Sequence, residues 1–257
     1  MRGLLFVAVL SLCSSAWAVP TLTNLTENQA QTAIREFNAG FVHSTITGGS
    51  FPDVLGFQVA ALGGMTKVPG IDGLVTEEFA YLPTGGLMAT LQIPFGLGGE
   101  LIWLPRISAS GVNAENVSLA GTFDLASRLG LDSVLGWRVR AAYGTAKASY
   151  QQVVSSIPLD VAYKNSTVQV DTTVSLGALP ILEPYLTLGY ASTSGDLSVT
   201  GNGTIFGFTA DKSYSAKSSG LLVAAGAEIT LAFLKFGAEY SRHYETDRYL
   251  AKLGFGF

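Results

Sequence analysis

From residue 53 to the C-terminus the chain repeats one design: eight to twelve residues in which apolar and polar or small side chains alternate, then a cluster of Gly, Ser, Asn, Asp or Pro. Alternation at period two places the two sets on opposite faces of a β-strand, and the clusters supply the turns. The last ten residues show it most plainly. Tyr249, Ala251, Leu253, Phe255 and Phe257 share one face, while Arg248, Lys252, Gly254 and Gly256 occupy the other. Leu234, Phe236, Ala238 and Tyr240 alternate with Lys235, Gly237, Glu239 and Ser241, and Trp137, Val139, Ala141 and Tyr143 with Arg138, Arg140, Ala142 and Gly144.

This pattern predicts ten strands, over residues 54–64, 87–93, 99–107, 117–128, 135–149, 161–178, 184–193, 218–233, 234–244 and 248–257. Residues 221–236 are apolar enough to suggest a bilayer helix, but Glu228 at the centre would cost such a helix about 2.5–3.5 kcal/mol. As a strand the segment turns Glu228 away from Leu221, Val223, Ile229, Leu231 and Phe233, and the conflict disappears. Gly- and Ser-rich loops at 65–86 and 194–216 leave room for one more pair, so twelve strands is the alternative count. Long loops are expected on the cell exterior, and the short turns at 180–183 and 245–247 on the periplasmic side.

Ahead of the strands, residues 26–38 read as a short helix: Thr26 caps it, Glu27 sits in the first turn, and Ala30, Ile34, Phe37 and Phe41 recur at helical spacing before Gly40 ends it. Its apolar face is expected to plug a lumen, lie against a periplasmic rim or line a route for a hydrophobic molecule. Arg2, the apolar run 3–12 and the small residues Ala16 and Ala18 form a secretory signal, with cleavage expected after Ala18. The division is therefore 1–18 signal peptide, 19–52 helical segment and 53–257 barrel. Cys13 leaves with the signal, and Leu12 before it is not the small residue a lipoprotein signal needs. The remaining chain has no disulfide and no thiolate metal site.

Composition sharpens this picture. Only 13% of residues are charged while 48% are hydrophobic, and 30 glycines accompany 14 phenylalanines and 10 tyrosines. Such a chain is too apolar for an ordinary soluble enzyme, yet after the signal no run of 18 apolar residues is free of charge. Apolar residues at every second position resolve the conflict as a sheet with one face toward lipid. A lipid-facing sheet cannot keep an open edge, because each unpaired backbone group in hydrocarbon costs several kcal/mol, so the expected fold is all-β, a closed antiparallel transmembrane β-barrel with a short N-terminal helix. The net charge of −4 without a Lys/Arg run excludes nucleic acid as a partner. A soluble β-sandwich alternates in the same way but has no use for so little charge.

Behind the apolar wall, the opposite faces collect Glu100, Arg106, Asp124, Arg128, Arg138, Arg140, Asp171, Glu183, Glu228, Lys235, Glu239 and Lys252 as lumen-lining candidates of both signs. In a narrow barrel they pair into a plug; in a wider one they line a water-filled path. Catalysis is not expected. His243 shares a face with Glu239 and Ser241, but successive same-face side chains on a strand are roughly 7 Å apart, beyond direct hydrogen bonding. A rim histidine is the simpler reading. His43 and His243 form no metal motif, no phosphate or dinucleotide fingerprint appears, and no cofactor is expected. The sequons at Asn24, Asn116, Asn165 and Asn202 follow from a composition rich in Asn, Ser and Thr, while Trp103, Trp137 and the tyrosines suit the headgroup level.

With the signal, the alternating strands and a terminal strand ending on Phe257, the chain resembles the Gram-negative outer-membrane β-barrel superfamily. The resemblance spans about residues 53–257. It implies an outer-membrane location, a lipid environment, and an assembly signal at Tyr249, Leu253, Phe255 and Phe257 read by the barrel-assembly machinery. The function expected is a passive pore or conduit for small solutes or hydrophobic molecules, the alternative a non-transporting structural or surface-interaction barrel acting through its long loops.

Overall fold

The structure, a computed structural model, describes residues 26–50, 55–72, 80–109, 112–131, 134–154, 157–176, 181–203 and 208–257. The expected signal peptide and Asn24 lie outside these residues. Among the described residues, ten strands follow one N-terminal helix: β1 (Gly56–Lys67), β2 (Tyr81–Ile93), β3 (Leu97–Ala109), β4 (Val112–Asp124), β5 (Gly136–Val154), β6 (Ile157–Ser175), β7 (Leu182–Gly203), β8 (Phe208–Leu231), β9 (Leu234–His243) and β10 (Thr246–Gly256). Helix α1 is Glu27–Gly40, and the short turns α2 (Pro69–Asp72) and α3 (Ala126–Leu129) lie in connections. Each strand pairs antiparallel with its neighbours in sequence, and β10 returns to pair with β1, closing the barrel. At the seam Phe57 and Phe257 exchange both backbone hydrogen bonds, at 2.9 and 3.0 Å, so the last residue completes the ladder.

Closure gives the barrel two ends. The near end holds the start of β1 and the end of β10; the far end holds the hairpin connections β1–β2, β3–β4, β5–β6, β7–β8 and β9–β10. Around the near half the outward positions are apolar. Leu186, Leu188, Val170, Val174, Leu119, Phe255 and Phe257 are all exposed, while their alternate neighbours are buried. Aromatic side chains edge this band: Phe57, Trp137, Phe233, Phe236 and Phe257 toward the near end, Trp103, Tyr143, Tyr190, Tyr240 and Tyr249 toward the far. From Tyr249 to Phe257 is roughly 26 Å along a strand, the scale of a lipid-facing band about 25 Å tall. The fold is a transmembrane β-barrel.

The long strands β5 to β8 continue past this band toward the far end and keep the same register, but their chemistry inverts. On β7 the outward positions become Ser192, Ser194, Asp196 and Ser198, and the inward ones become Leu197 and Val199. The inward apolar set, with Tyr150, Val161 and Tyr163, forms a core around Ala30, Ala33, Ile34, Phe37 and Phe41 at α1. Helix α1 therefore sits inside a projecting turret. Its start is fixed by Thr26, whose hydroxyl accepts from Gln29 N–H while the Gln29 side chain accepts from Thr26 N–H.

Three details of the sequence reading change. Residues 194–203 and 208–216, expected as loop, are the paired ends of β7 and β8; their outward Ser, Asp and Lys with Gly195 mimic loop composition. Residues 126–128, expected as the end of a strand, lie in the helical turn α3, for which Asp124 Oδ1 accepts from Ala126 and Ser127 N–H. Finally, the turns expected together on one side lie at opposite ends: β6–β7 is near and β9–β10 is far, because three reversing strands separate them. Pro180 itself lies outside the described residues.

Candidate functional site

The site is built where the polypeptide passes through its own barrel. From α1 at the far end, residues 41–50 descend along the lumen to the near end, where β1 begins. This strap carries no Asp, Glu, Lys or Arg, and 41–49 are buried throughout. Ten extended residues reach at most about 33–36 Å, enough to cross the apolar band once.

The wall meets the strap mostly with charged and hydroxyl side chains. Near the top, Arg248 Nη1 donates to the Val42 carbonyl at 2.8 Å. Below it, His43 bridges two strands, with Nδ1 2.8 Å from Ser118 Oγ on β4 and Nε2 3.2 Å from Glu100 Oε2 on β3. Arg140 Nη1 donates to the Ser44 carbonyl at 3.1 Å, and Thr45 Oγ1 donates to Glu239 Oε2 at 2.7 Å. Ile46 packs with Ala60, Leu62, Met88, Ile102 and Leu250. At the exit, Gly49 N–H donates to Ser175 Oγ, Ser50 N–H to Glu183 Oε1, and Arg138 Nη2 to the Ser50 carbonyl, at 3.0, 3.0 and 3.2 Å. A Cβ at Gly48 would fall 2.2 Å from the Glu183 carboxyl, and one at Gly49 would fall 2.8 Å from the Gly136 carbonyl oxygen, so the strap needs glycine to pass between β5 and β7.

Behind these contacts the wall charges pair among themselves. Glu100 takes Arg138 Nη1 at 2.8 Å and Arg140 Nε at 3.1 Å, Arg140 Nη1 lies 3.7 Å from Asp171, and Gln169 Nε2 donates to Asp171 at 2.7 Å. Glu228 is held by Lys252 and, at 3.0 Å, by Lys235. The ions of these two clusters are thus paired, and removing one partner of such a buried pair costs about 3–5 kcal/mol.

Of the residues singled out in the sequence, Glu100, Asp124, Arg138, Arg140, Asp171, Glu228, Glu239 and Lys252 are buried on inward faces, and Glu183 is half-buried at the near exit. Lys235 is partly exposed at the near end. Arg106 and Arg128 are corrections. Arg106 is exposed within a bulge in β3 that breaks the alternation between Leu104 and Ile107, and Arg128 follows the end of β4, exposed over the Phe123 ring with its Nη2 on the Phe95 carbonyl. Asp124 works locally, as the cap described above. Tyr249, Phe255 and Phe257 are exposed on the outer wall; the Phe57 and Phe257 ring centroids lie 6.2 Å apart across the seam.

The sequence assigned no lumen role to His43, Ser118, Thr45, Arg248 or Tyr185, whose hydroxyl donates to Glu239 Oε2 at 3.1 Å. Arg248 was legible from its shared face with Lys252; the strap was not, since its small uncharged residues show no period. His243 also differs from expectation. It is buried, not at a rim, and its Nε2 lies 3.1 Å from Ser241 Oγ. Ser118, His43 and Glu100 share the connectivity of a Ser–His–acid relay. All three are buried, however, Glu100 is engaged by two arginines, and the cavity beside Ser118 is about 30 Å³, room for a water and no larger substrate. Among the described residues no cluster of His, Cys, Asp or Glu could hold a metal ion. Asn165 faces inward, accepting from Ala146 N–H and donating to Tyr163 OH, which places one sequon inside the turret.

An even-numbered, closed antiparallel barrel with an apolar outer band and aromatic edges is the architecture of outer-membrane β-barrel proteins. The particular assignment is to the family of unknown function DUF6588, to which the chain belongs: the family model matches residues 10–257. No curated protein matches the sequence. Among solved structures, the chain is similar to the translocator domain of the autotransporter NalP from Neisseria meningitidis (12% identity, 90% of this chain and 94% of that one, TM-score 0.46). It is also similar to Ail, the attachment invasion locus protein of Yersinia pestis (11%, 80% and 100%, 0.36), and to a Pseudomonas aeruginosa FadL homologue (9%, 86% and 97%, 0.29).

Proposed function

We propose that the protein is a plugged, non-conducting outer-membrane barrel that presents its turret at the cell surface as an interaction platform. The observation that carries this reading is the strap: residues 41–50 run along the lumen and are tied to side chains from β3, β4, β5, β6, β7, β9 and β10. A path for solute would require them to leave. The lumen charges thereby serve to hold a polypeptide, matching its backbone carbonyls with arginines and its N–H and hydroxyl groups with carboxylates. Orientation follows from length. Near-end connections such as β2–β3 and β8–β9 are tight, whereas β5 to β8 project well past the band at the far end, as cell-surface hairpins do. Export by a signal cleaved after Ala18, insertion by the barrel-assembly machinery through the terminal aromatics, and a surrounding of outer-membrane lipid complete the proposal.

The test is planar-bilayer conductance of the refolded protein. The intact chain is expected to show no stepwise current, and a variant lacking residues 26–50 that still migrates as a heat-modifiable barrel is expected to conduct. Steady channels from the intact chain would overturn the plugged reading in favour of the solute conduit.

A further inference from the structure

We infer that the barrel carries its own N-terminal segment across the membrane, so that the chain preceding Thr26 is displayed at the cell surface while β1 starts in the periplasm. The inference rests on the orientation proposed above and on the direction of the strap. Its lower end is fixed at the near end, where Ser50 N–H donates to Glu183 and its carbonyl accepts from Arg138. Its upper end continues into α1, which is enclosed by the far-end residues of the turret and reaches the β9–β10 turn, where Arg35 lies 3.9 Å from Glu245. The helix points its first residues outward: 26–29 are exposed, whereas 33 and 34 and then 36–40 are buried. The polypeptide thus enters the lumen at the far mouth and leaves at the near one. Residue 55 and residue 26 stand on opposite sides of the apolar band.

The lumen lining agrees with this direction. Partners for backbone groups are spaced from top to bottom, the arginines Arg248, Arg140 and Arg138 meeting carbonyls at Val42, Ser44 and Ser50 in succession. A lumen that satisfies an extended backbone at three levels is suited to hold a chain that crosses it. Whatever is covalently joined ahead of Thr26 is carried to the far side with it.

The experiment uses the unmodified protein in intact cells and a membrane-impermeant amine reagent, with labelled sites located by mass spectrometry. Lys164 and Lys217 are exposed on the outer face of the turret, and Lys235 lies at the near end. The mature α-amine is expected to label in intact cells as fully as Lys164, and Lys235 only after the outer membrane is permeabilised. Labelling of Lys164 with loss of the α-amine signal until permeabilisation would overturn the threading while leaving the orientation intact. Labelling of Lys235 with neither Lys164 nor the α-amine would overturn both orientation and display, a result that bilayer conductance does not depend on. An epitope inserted between residues 22 and 23, read by antibody on intact and permeabilised cells, provides the same comparison without amine chemistry.

Discussion

The two halves of the barrel use the same strands in opposite ways. In the lipid-facing half of β7, Leu186 and Leu188 point out and Thr187 points in; in the turret half, Ser194 and Ser198 point out and Leu197 and Val199 point in. The pleat never slips between them. What changes is the surroundings: hydrocarbon outside and a polar strap inside below, water outside and the apolar face of α1 inside above. Alternation therefore records a difference between two faces, and the medium decides which face holds the apolar residues.

The comparison breaks most sharply at the charges of the lower lumen. Glu100→Leu leaves Arg138 and Arg140 short of a counter-ion in a buried site and is expected to cost about 3–5 kcal/mol, read as a lower urea midpoint of the barrel in detergent. An unchanged midpoint would mean that the lower lumen tolerates free charge and that the contrast with the turret is only compositional. In the turret the corresponding loss is apolar. Leu197→Ala removes a fully buried side chain from the α1 core and should cost about 2–5 kcal/mol. Its signature is regional, namely faster hydrogen exchange in α1 with the near-half strands unaffected; uniform loss throughout would show one cooperative unit instead of two.

A matched pair on the outer face of β7 sharpens the same contrast. Leu186→Arg places a charge in the lipid band and is expected to cost about 2–4 kcal/mol, whereas Ser198→Arg in the turret should stay within roughly 0.5 kcal/mol. Equal effects in lipid-reconstituted unfolding would remove the boundary drawn between the halves. The smallest effect is one of pH. Glu36 lies in α1 beyond the band, accepting from Gly70 and Ile71 N–H at 2.6 and 2.8 Å, and burial raises its carboxyl pKa, the dominant cause, against the lowering by those two bonds. A carboxyl whose folded pKa is raised binds its proton more readily folded than unfolded. Its contribution is then present at low pH and lost as pH rises through the folded value. Protection of α1 from exchange should accordingly increase modestly as pH falls through the range just above the ordinary carboxylate value, and Glu36→Gln should flatten that dependence; a rise in protection with pH would contradict the burial of Glu36.

Much of this architecture is visible in the primary structure. Ten alternating runs became ten strands in the expected order, and Thr26 with Glu27 announced the helix start. Where alternation carried an apolar partner on one face, the strand was legible, as at Val168 to Val174. Where the outward face turned to Ser, Asp and Lys, as at 194–198 and 211–217, the same backbone looked like loop, because polar outward residues are ordinary in water and diagnostic only against lipid. The bulge that exposes Arg106 escaped for a related reason: it depends on the pairing of β3 with β4.

The sequence by itself determined the all-β class, the alternation of faces along each strand and the need for the sheet to close, since period-two patterning is local and unpaired edges are intolerable in lipid. Only the tertiary structure decided what fills the lumen. Residues 41–50 have no period and no charge, so nothing local distinguishes them from a linker; their path is set by partners contributed from strands up to 206 residues away, as between Val42 and Arg248. A strap without its own pattern takes its conformation from the wall around it, and that wall exists only once the barrel has closed.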